Sequence, residues 1–276
     1  MEKKTSIVIL TSRGPRHSYF CRELARNFDV KGIVVDDRYH FSDRILTFLR
    51  LTGGNPLLAV KRIFLKKRIL PFDLRDRETE ERYFPLGEGG KEFPDGVPVL
   101  MSPDPNGAEA IQWIEKFSPD VIAVFGTRLI KDPVLSAAKS AALNLHTGFS
   151  PFYRGGQCTF WALYHGDAEH VGVTVHHLSR KIDGGDIVFT ARPDIQPDDT
   201  VRSIECKLVK LATQGMIEAI RKIAAGERIG VPQEKGGRLF LSREFTLEKR
   251  LEFEKKMEKG WLRRLLAGDS GEKSGQ

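Results

Sequence analysis

No stretch of this chain approaches the roughly 18 to 20 consecutive apolar residues that cross a bilayer. Its first apolar run, Ile7 to Leu10, is too short for the hydrophobic core of a secretion signal. Cysteine is scarce. The three present, Cys21, Cys158 and Cys206, lie far apart and form no Cys-x-x-Cys, which argues against a disulfide framework or a zinc site. They read instead as small buried apolar groups in a reducing compartment, so a cytoplasmic protein is expected. No clustered set of His, Cys and carboxylates has ligand spacing, and no metal is expected. Glycine-rich phosphate loops are missing too: Thr11-Ser12-Arg13-Gly14-Pro15, after the first apolar run, fits neither the dinucleotide nor the P-loop pattern.

What is present suits a globular protein. With 276 residues, 40% hydrophobic and 29% charged, the chain can build one large domain and at most a small appendage. The net charge of +7 is unevenly spread: residues 38–70 carry eight basic side chains (Arg38, Arg44, Arg50, Lys61, Arg62, Lys66, Lys67, Arg68) against one acid, Asp43. A basic helix can face an anionic partner. Because no aromatic platform is interleaved to read bases, the segment is taken as a solvated helical face, and nucleic acid is disfavoured.

The order of elements is α/β. Ser6 to Thr11 reads as a buried strand, followed by a helix that Ser18 could cap and that carries Phe20, Leu24 and Phe28 on one face. A second strand spans Val30 to Val35. Strand-helix-strand implies a parallel sheet with right-handed crossovers. Residues 42–70 show helical spacing (Ile45, Leu46, Leu49, then Leu57, Leu58, Ile63, Leu65), broken by Gly53-Gly54-Asn55-Pro56, and residues 71–96 read as an irregular surface excursion. Strands follow at Val97–Leu100, Asp120–Phe125, Ala141–His146, about 171–178 and Ile187–Ala191, with helices near Ala108–Phe117, Val134–Ala138, 157–165 and Thr200–Ala225. The expected division is a catalytic domain over 1–225, containing a helical insertion at about 42–90, and a short extension over 226–276. In that extension Leu247, Leu251, Trp261 and Leu265 form a stripe for docking on the body, before a polar tail.

In an open parallel sheet, ligands sit beyond the carboxyl ends of the strands. Asn144 and His146 lie at such an end, and their spacing of two points both side chains to one side. An amide donor and an imidazole aimed at one place suit acyl or formyl transfer, where a developing oxyanion needs donors already positioned. Asp183-Gly184-Gly185-Asp186 between two apolar strands is a turn signal that could present a carboxylate to His146, orienting the ring and moving a proton. Spacing alone leaves Asp183 and Asp186 both open.

In combination these residues resemble the formyltransferase family. The resemblance runs from Val121 to Ile130, through Asn144-Leu145-His146-Thr147-Gly148-Phe149-Ser150-Pro151-Phe152-Tyr153-Arg154-Gly155, then Gly172-Val173-Thr174-Val175-His176, to Asp183-Gly184-Gly185-Asp186-Ile187. It implies a Rossmann-like, parallel-rich α/β sheet with helices on both faces, and a cytoplasmic enzyme moving a formyl group from 10-formyltetrahydrofolate to a primary amine. It implies catalytic roles for Asn144 (donor to the formyl oxygen), His146 (oxyanion stabiliser or proton carrier) and Asp183 (orienting His146 and accepting the amine's proton). Arg128, Leu129 and Ile130 would line the pterin pocket, partly through backbone groups. Ile182, Gly184 and Gly185 would belong to the loop closing over it, with His176 in a supporting position.

The loop after His146 departs from the Ser-Leu-Leu-Pro pattern of better-known members, so the acceptor side is expected to differ. The residues after 200 are too short and too helical for the barrel that tRNA formylases append, which leaves a small-molecule acceptor, an amino sugar or sugar nucleotide ahead of glycinamide ribotide. A formyltetrahydrofolate hydrolase is disfavoured because no extra domain precedes the first strand. A non-catalytic nucleotide-binding or nucleic-acid-binding module is the alternative from another class. Homodimerisation is left open.

Overall fold

The computed structural model describes residues 4–37, 52–234 and 236–268. The elements run β1 (Ser6–Thr11), α1 (Pro15–Asn27), β2 (Asp29–Asp36), α2 (Pro56–Tyr83), β3 (Val99–Ser102), α3 (Ala108–Phe117), β4 (Val121–Phe125), α4 (Asp132–Leu135), β5 (Ala141–His146), β6 (Tyr153–Gly155), α5 (Cys158–Tyr164), β7 (Val173–His177), β8 (Ile187–Ala191), α6 (Val201–Ala224), β9 (Arg238–Phe240), α7 (Leu247–Glu258) and α8 (Trp261–Leu266).

Seven strands form one sheet in the order β3-β2-β1-β4-β5-β7-β8. The first five are mutually parallel, and β7 runs antiparallel to both β5 and β8. The strand order reverses direction between β1 and β4, where a doubly wound sheet opens a crevice at its carboxyl edge. Period-two alternation along β1 sends Ile7 and Ile9 into one core layer with Phe20 and Leu24 of α1 and Leu208 and Val209 of α6. Val8 and Leu10 enter the opposite layer with Ala110 and Ile114 of α3 and Val134 of α4. Helices therefore cover both faces, as the sequence implied.

Three local expectations need correction. Helix α1 starts at Pro15 with Gly14 as its cap, because proline presets the first helical φ and has no N–H to leave unpaired. Ser18 lies inside the helix, and its hydroxyl donates to the Glu92 carbonyl. Of the irregular excursion expected over 71–96, residues 84–96 form the irregular stretch, and residues 71–83 are instead the second half of α2, which continues through Pro71. Proline removes a helical hydrogen bond there. The helix is held regardless by packing of Ile69 and Phe72 on Leu251 and by ion pairs of Arg75 with Glu254 (2.7 Å) and Arg250 with Asp76 (3.2 Å). The final helical stripe is two helices, α7 and α8, with Gly260 between them. The expected helix around Ile45, Leu46 and Leu49, the charges of Arg38, Asp43, Arg44 and Arg50, and the tail from 269 lie outside the described residues. No described helix is long and apolar enough to cross a membrane.

The α1 turn buries His17 against Phe125, ring centroids 4.5 Å apart, with Nδ1 2.9 Å from the Thr11 hydroxyl. Burial, with some help from Arg16, pushes its pKa down to about 3. The unfolded chain therefore binds a proton that the native state refuses between its ordinary value of about 6.5 and that limit, and stability falls as pH drops through this window by roughly 1 kcal/mol per pH unit. His17→Gln should shrink the loss of Tm between about pH 7 and about pH 5 by a few degrees. An unchanged loss in a thermal scan would contradict this.

Candidate active site

The carboxyl ends of β4 and β5 open into a cavity of about 470 Å³. Asn144 and His146 enter it from β5, and Asp183 arrives from the β7–β8 connection. The His146 Nδ1 faces Asp183 Oδ2 at 3.5 Å, and Asn144 Nδ2 donates to Asp183 Oδ1 at 3.4 Å. Antiparallel pairing sets Asn144 opposite His176, whose Nε2 accepts from the same amide at 3.1 Å. The His176 Nδ1–H donates to the His177 carbonyl (2.8 Å), which fixes the tautomer that leaves Nε2 as an acceptor. His176 thus stands behind the pair and anchors the amide plane.

The second His146 nitrogen, Nε2, donates to the Tyr153 carbonyl at 3.1 Å. In the neutral ring the lone pair is therefore on Nδ1, facing Asp183. Burial lowers the His146 pKa, against an opposing pull from Asp183, so the ring is neutral near pH 7. Burial alone would raise the Asp183 pKa, but the His146 and His176 rings and the Gly155 N–H (2.8 Å to Oδ2) more than offset it. That carboxyl sits well below the usual range and stays ionised. The site thus pairs a neutral base with a fixed anion. Cys158 lies 3.6 Å from His146 Nε2, but burial pushes its thiol well above the ordinary value, so it offers no thiolate nucleophile.

Of the residues expected to bind the donor, Arg128, Leu129, Ile130 and Ile182 line the cavity. The Arg128 guanidinium is committed to Asp36 (2.8 Å), which also accepts from its backbone N–H (2.9 Å). Asn106 brackets the same segment by donating to the Leu129 carbonyl and accepting from the Lys131 N–H. What this segment presents is a clamped backbone and apolar side chains. Gly184 and Gly185 stand back from the cavity. A Cβ on Gly185 would lie 1.8 Å from the His177 carbonyl oxygen, so glycine is required for the turn to close. Asp186 is exposed, and Asp183 is the carboxylate within reach of His146.

Several participants left no signal in the sequence. Strand β9 pairs in parallel with β6, bringing Leu239 to Ser242 of the C-terminal extension into the cavity wall. At Gly155 the positive φ of 90° and an approach of 2.2 Å from the Phe240 carbonyl to any Cβ make this pairing specific for glycine. Asp183 itself takes a left-handed φ of 45°. Gln233 holds that turn, donating to the carbonyls of Asp183 (2.9 Å) and Gly185 (2.7 Å). The extension was expected only to dock; it also shapes the site. Two hydrogen bonds at about 1 kcal/mol each make Gln233→Ala expected to lower Tm by several degrees and, by loosening the turn that carries Asp183, to lower kcat on the order of tenfold at temperatures where the variant stays folded. Unaltered steady-state kinetics would remove Gln233 from this role.

Residues 101–220, from β3 through most of α6, match the formyl transferase family. A methionyl-tRNA formyltransferase of Limosilactobacillus fermentum is 35% identical over 167 residues, 59% of this chain and 51% of that protein. The chain spans about half the length of the curated relatives it matches. Among solved structures, a sugar N-formyltransferase from Shewanella superposes with a TM-score of 0.55 at 14% identity, covering 95% of this chain and 88% of that one. HypX from Aquifex aeolicus, in complex with tetrahydrofolic acid, gives 0.50 at 23% identity over 64% of this chain and 30% of its own. At these identities the structural likeness concerns the fold.

Proposed function

We propose that this chain transfers a formyl group from 10-formyltetrahydrofolate to the primary amine of a small acceptor, an amino sugar or sugar nucleotide. The observation that carries the reading is the convergence of Asn144, His146 and Asp183 on one wall of the cavity. The match of residues 101–220 to the formyl transferase family supports formyl transfer, the folate-bound neighbour supports the donor, and the sugar N-formyltransferase supports the acceptor class. The lining suits a pterin: Leu129, Ile130, Leu145, Leu178 and Ile182 are apolar, and the polar triad lies to one side.

10-Formyltetrahydrofolate supplies the formyl carbon; its bond to the acceptor nitrogen forms as its bond to folate N10 breaks. Negative charge gathers on the formyl oxygen, where a preset donor is worth most. Asn144 turns its longer hydrogen bond, the 3.4 Å contact to Asp183, toward that oxygen while its 3.1 Å bond to His176 keeps the amide aligned. His146 takes the amine's proton at Nδ1. The resulting imidazolium keeps Nε2–H on Tyr153 and gains an ion pair with Asp183, and the proton is then returned to the departing folate nitrogen.

The test is incubation with 10-formyltetrahydrofolate and separate amine acceptors (amino-sugar nucleotides, glycinamide ribotide, methionyl-tRNA, amino acids), read by a mass gain of about 28 daltons on the acceptor. Gain on an amino-sugar nucleotide is expected. Formate release without any amine would replace transfer with hydrolysis, and no reaction with any acceptor would overturn the reading.

A further inference from the structure

One side of α2 buries its apolar residues and the other does not. Ile69 and Phe72 are 2% and 9% exposed and pack on α7. On the other side Leu57, Val60, Ile63, Phe64, Leu70 and Leu74 stand 48% to 78% exposed, at the three- and four-residue steps that place them on one helical arc. Contiguous apolar surface of this kind on a folded chain marks an interaction site. The charge around it is mainly basic, although Lys61 pairs with Glu248 of α7 (3.0 Å) and Asp73, beside Leu74, pairs with Arg250 (2.6 Å). From Thr52 to Phe72 there are five basic residues, Lys61, Arg62, Lys66, Lys67 and Arg68, and no acid. At about 100° per residue, Lys61 and Arg68 flank the Leu57 edge of the arc, Arg62 and Lys66 lie beyond the Leu70 edge, and Lys67 stands within it. Long basic side chains can extend their charge away from an apolar floor.

We infer that α2 is a bilayer-surface helix that docks the protein on membranes rich in anionic phospholipid. An interfacial helix needs an apolar arc inserted at the acyl boundary and basic residues at headgroup level, and α2 presents both. A second copy fits poorly, because a twofold contact sets this basic face against itself. Nucleic acid would use the charges but leave six apolar side chains uncovered, with Phe64 as the one aromatic ring among them for stacking. The inference does not depend on the chemistry at His146.

The full chain should float with vesicles of phosphatidylcholine containing about a quarter phosphatidylglycerol, and about tenfold less with phosphatidylcholine alone. Leu57→Ser with Phe64→Ser should abolish flotation, and Lys66→Glu with Lys67→Glu should weaken it about tenfold or more. Val60→Ser with Leu70→Ser is the second apolar pair, should the first disturb folding in a thermal scan. All of these positions except Lys66 and Lys67 are apolar and all are exposed, so unchanged unfolding is expected. No flotation of the natural chain, equal flotation on neutral vesicles, or flotation indifferent to both apolar pairs overturns the proposal. So does either of two other patterns without flotation: a dimer in sedimentation that Leu57→Ser dissolves, or RNA binding lost only in the charge-reversed variant.

Discussion

Replacing His146 with alanine is expected to lower kcat for formyl transfer about a hundredfold or more while leaving donor affinity within a few-fold. The imidazole is the one group in the cavity wall that is neutral near pH 7, carries a lone pair toward a fixed carboxylate and has its other nitrogen tied to backbone. Asp183→Ala should cost a similar factor, because it removes the anion that stabilises the imidazolium and the acceptor that positions Asn144. Asp186→Ala should be mild, since that side chain is exposed. The pH profile carries a second signature. Protonation of His146 removes the base, and burial holds its pKa below the ordinary value, so kcat/KM should decline only at acid pH below about 6.5. Asp183 stays ionised across that range and adds no limb of its own. Residual activity of His146→Ala should lack the acid limb. Steady-state kinetics with the three variants decide the matter: wild-type turnover in either His146→Ala or Asp183→Ala removes the assignment, and an Asp186 effect larger than that of Asp183 reassigns the carboxylate.

Phe160→Ala should be among the most destabilising single changes, at about 3–5 kcal/mol. The ring is 3% exposed and sits where α5 meets the C-terminal extension, edge-on to Phe245 at 4.8 Å and Phe253 at 5.2 Å. Beside it Trp161 stacks on Phe240 of β9 at 5.0 Å. Emptying this position leaves a cavity and loosens the elements that set Leu239 to Ser242 against the site. Tm should fall by roughly 10 °C, and activity should be lost at temperatures where the wild type still works. By contrast, Phe64→Ala, 57% exposed on α2, should change stability by less than about 0.5 kcal/mol. Chemical denaturation of the two variants, compared with wild type, gives the contrast directly; equal effects would mean that the extension is not anchored through Phe160.

Much of the fold was legible because the relevant forces act locally or repeat along the chain. Strands announce themselves as apolar runs, so the central β5 and the half-exposed edge strand β8 begin and end where those runs do. Helix α3 follows its spacing of Ala110 and Ile114. Helix α2 was misjudged beyond Pro71 because a local rule against proline was outweighed by ion pairs to α7, residues nearly two hundred positions away. The three-residue strands β6 and β9 carry no readable period, and their pairing joins segments more than eighty residues apart.

The same division runs through the site. The sequence determined that an amide and an imidazole would leave one strand end on the same side, because side chains alternate along a strand whatever surrounds it. Only the tertiary structure decided that Asp183 rather than Asp186 meets His146, that Gly155 holds that carboxylate and Gln233 the turn that carries it, and that the C-terminal extension completes the wall. Those are contacts between distant segments, and both their energies and the resulting pKa values depend on burial and on neighbours that exist only once the chain has folded.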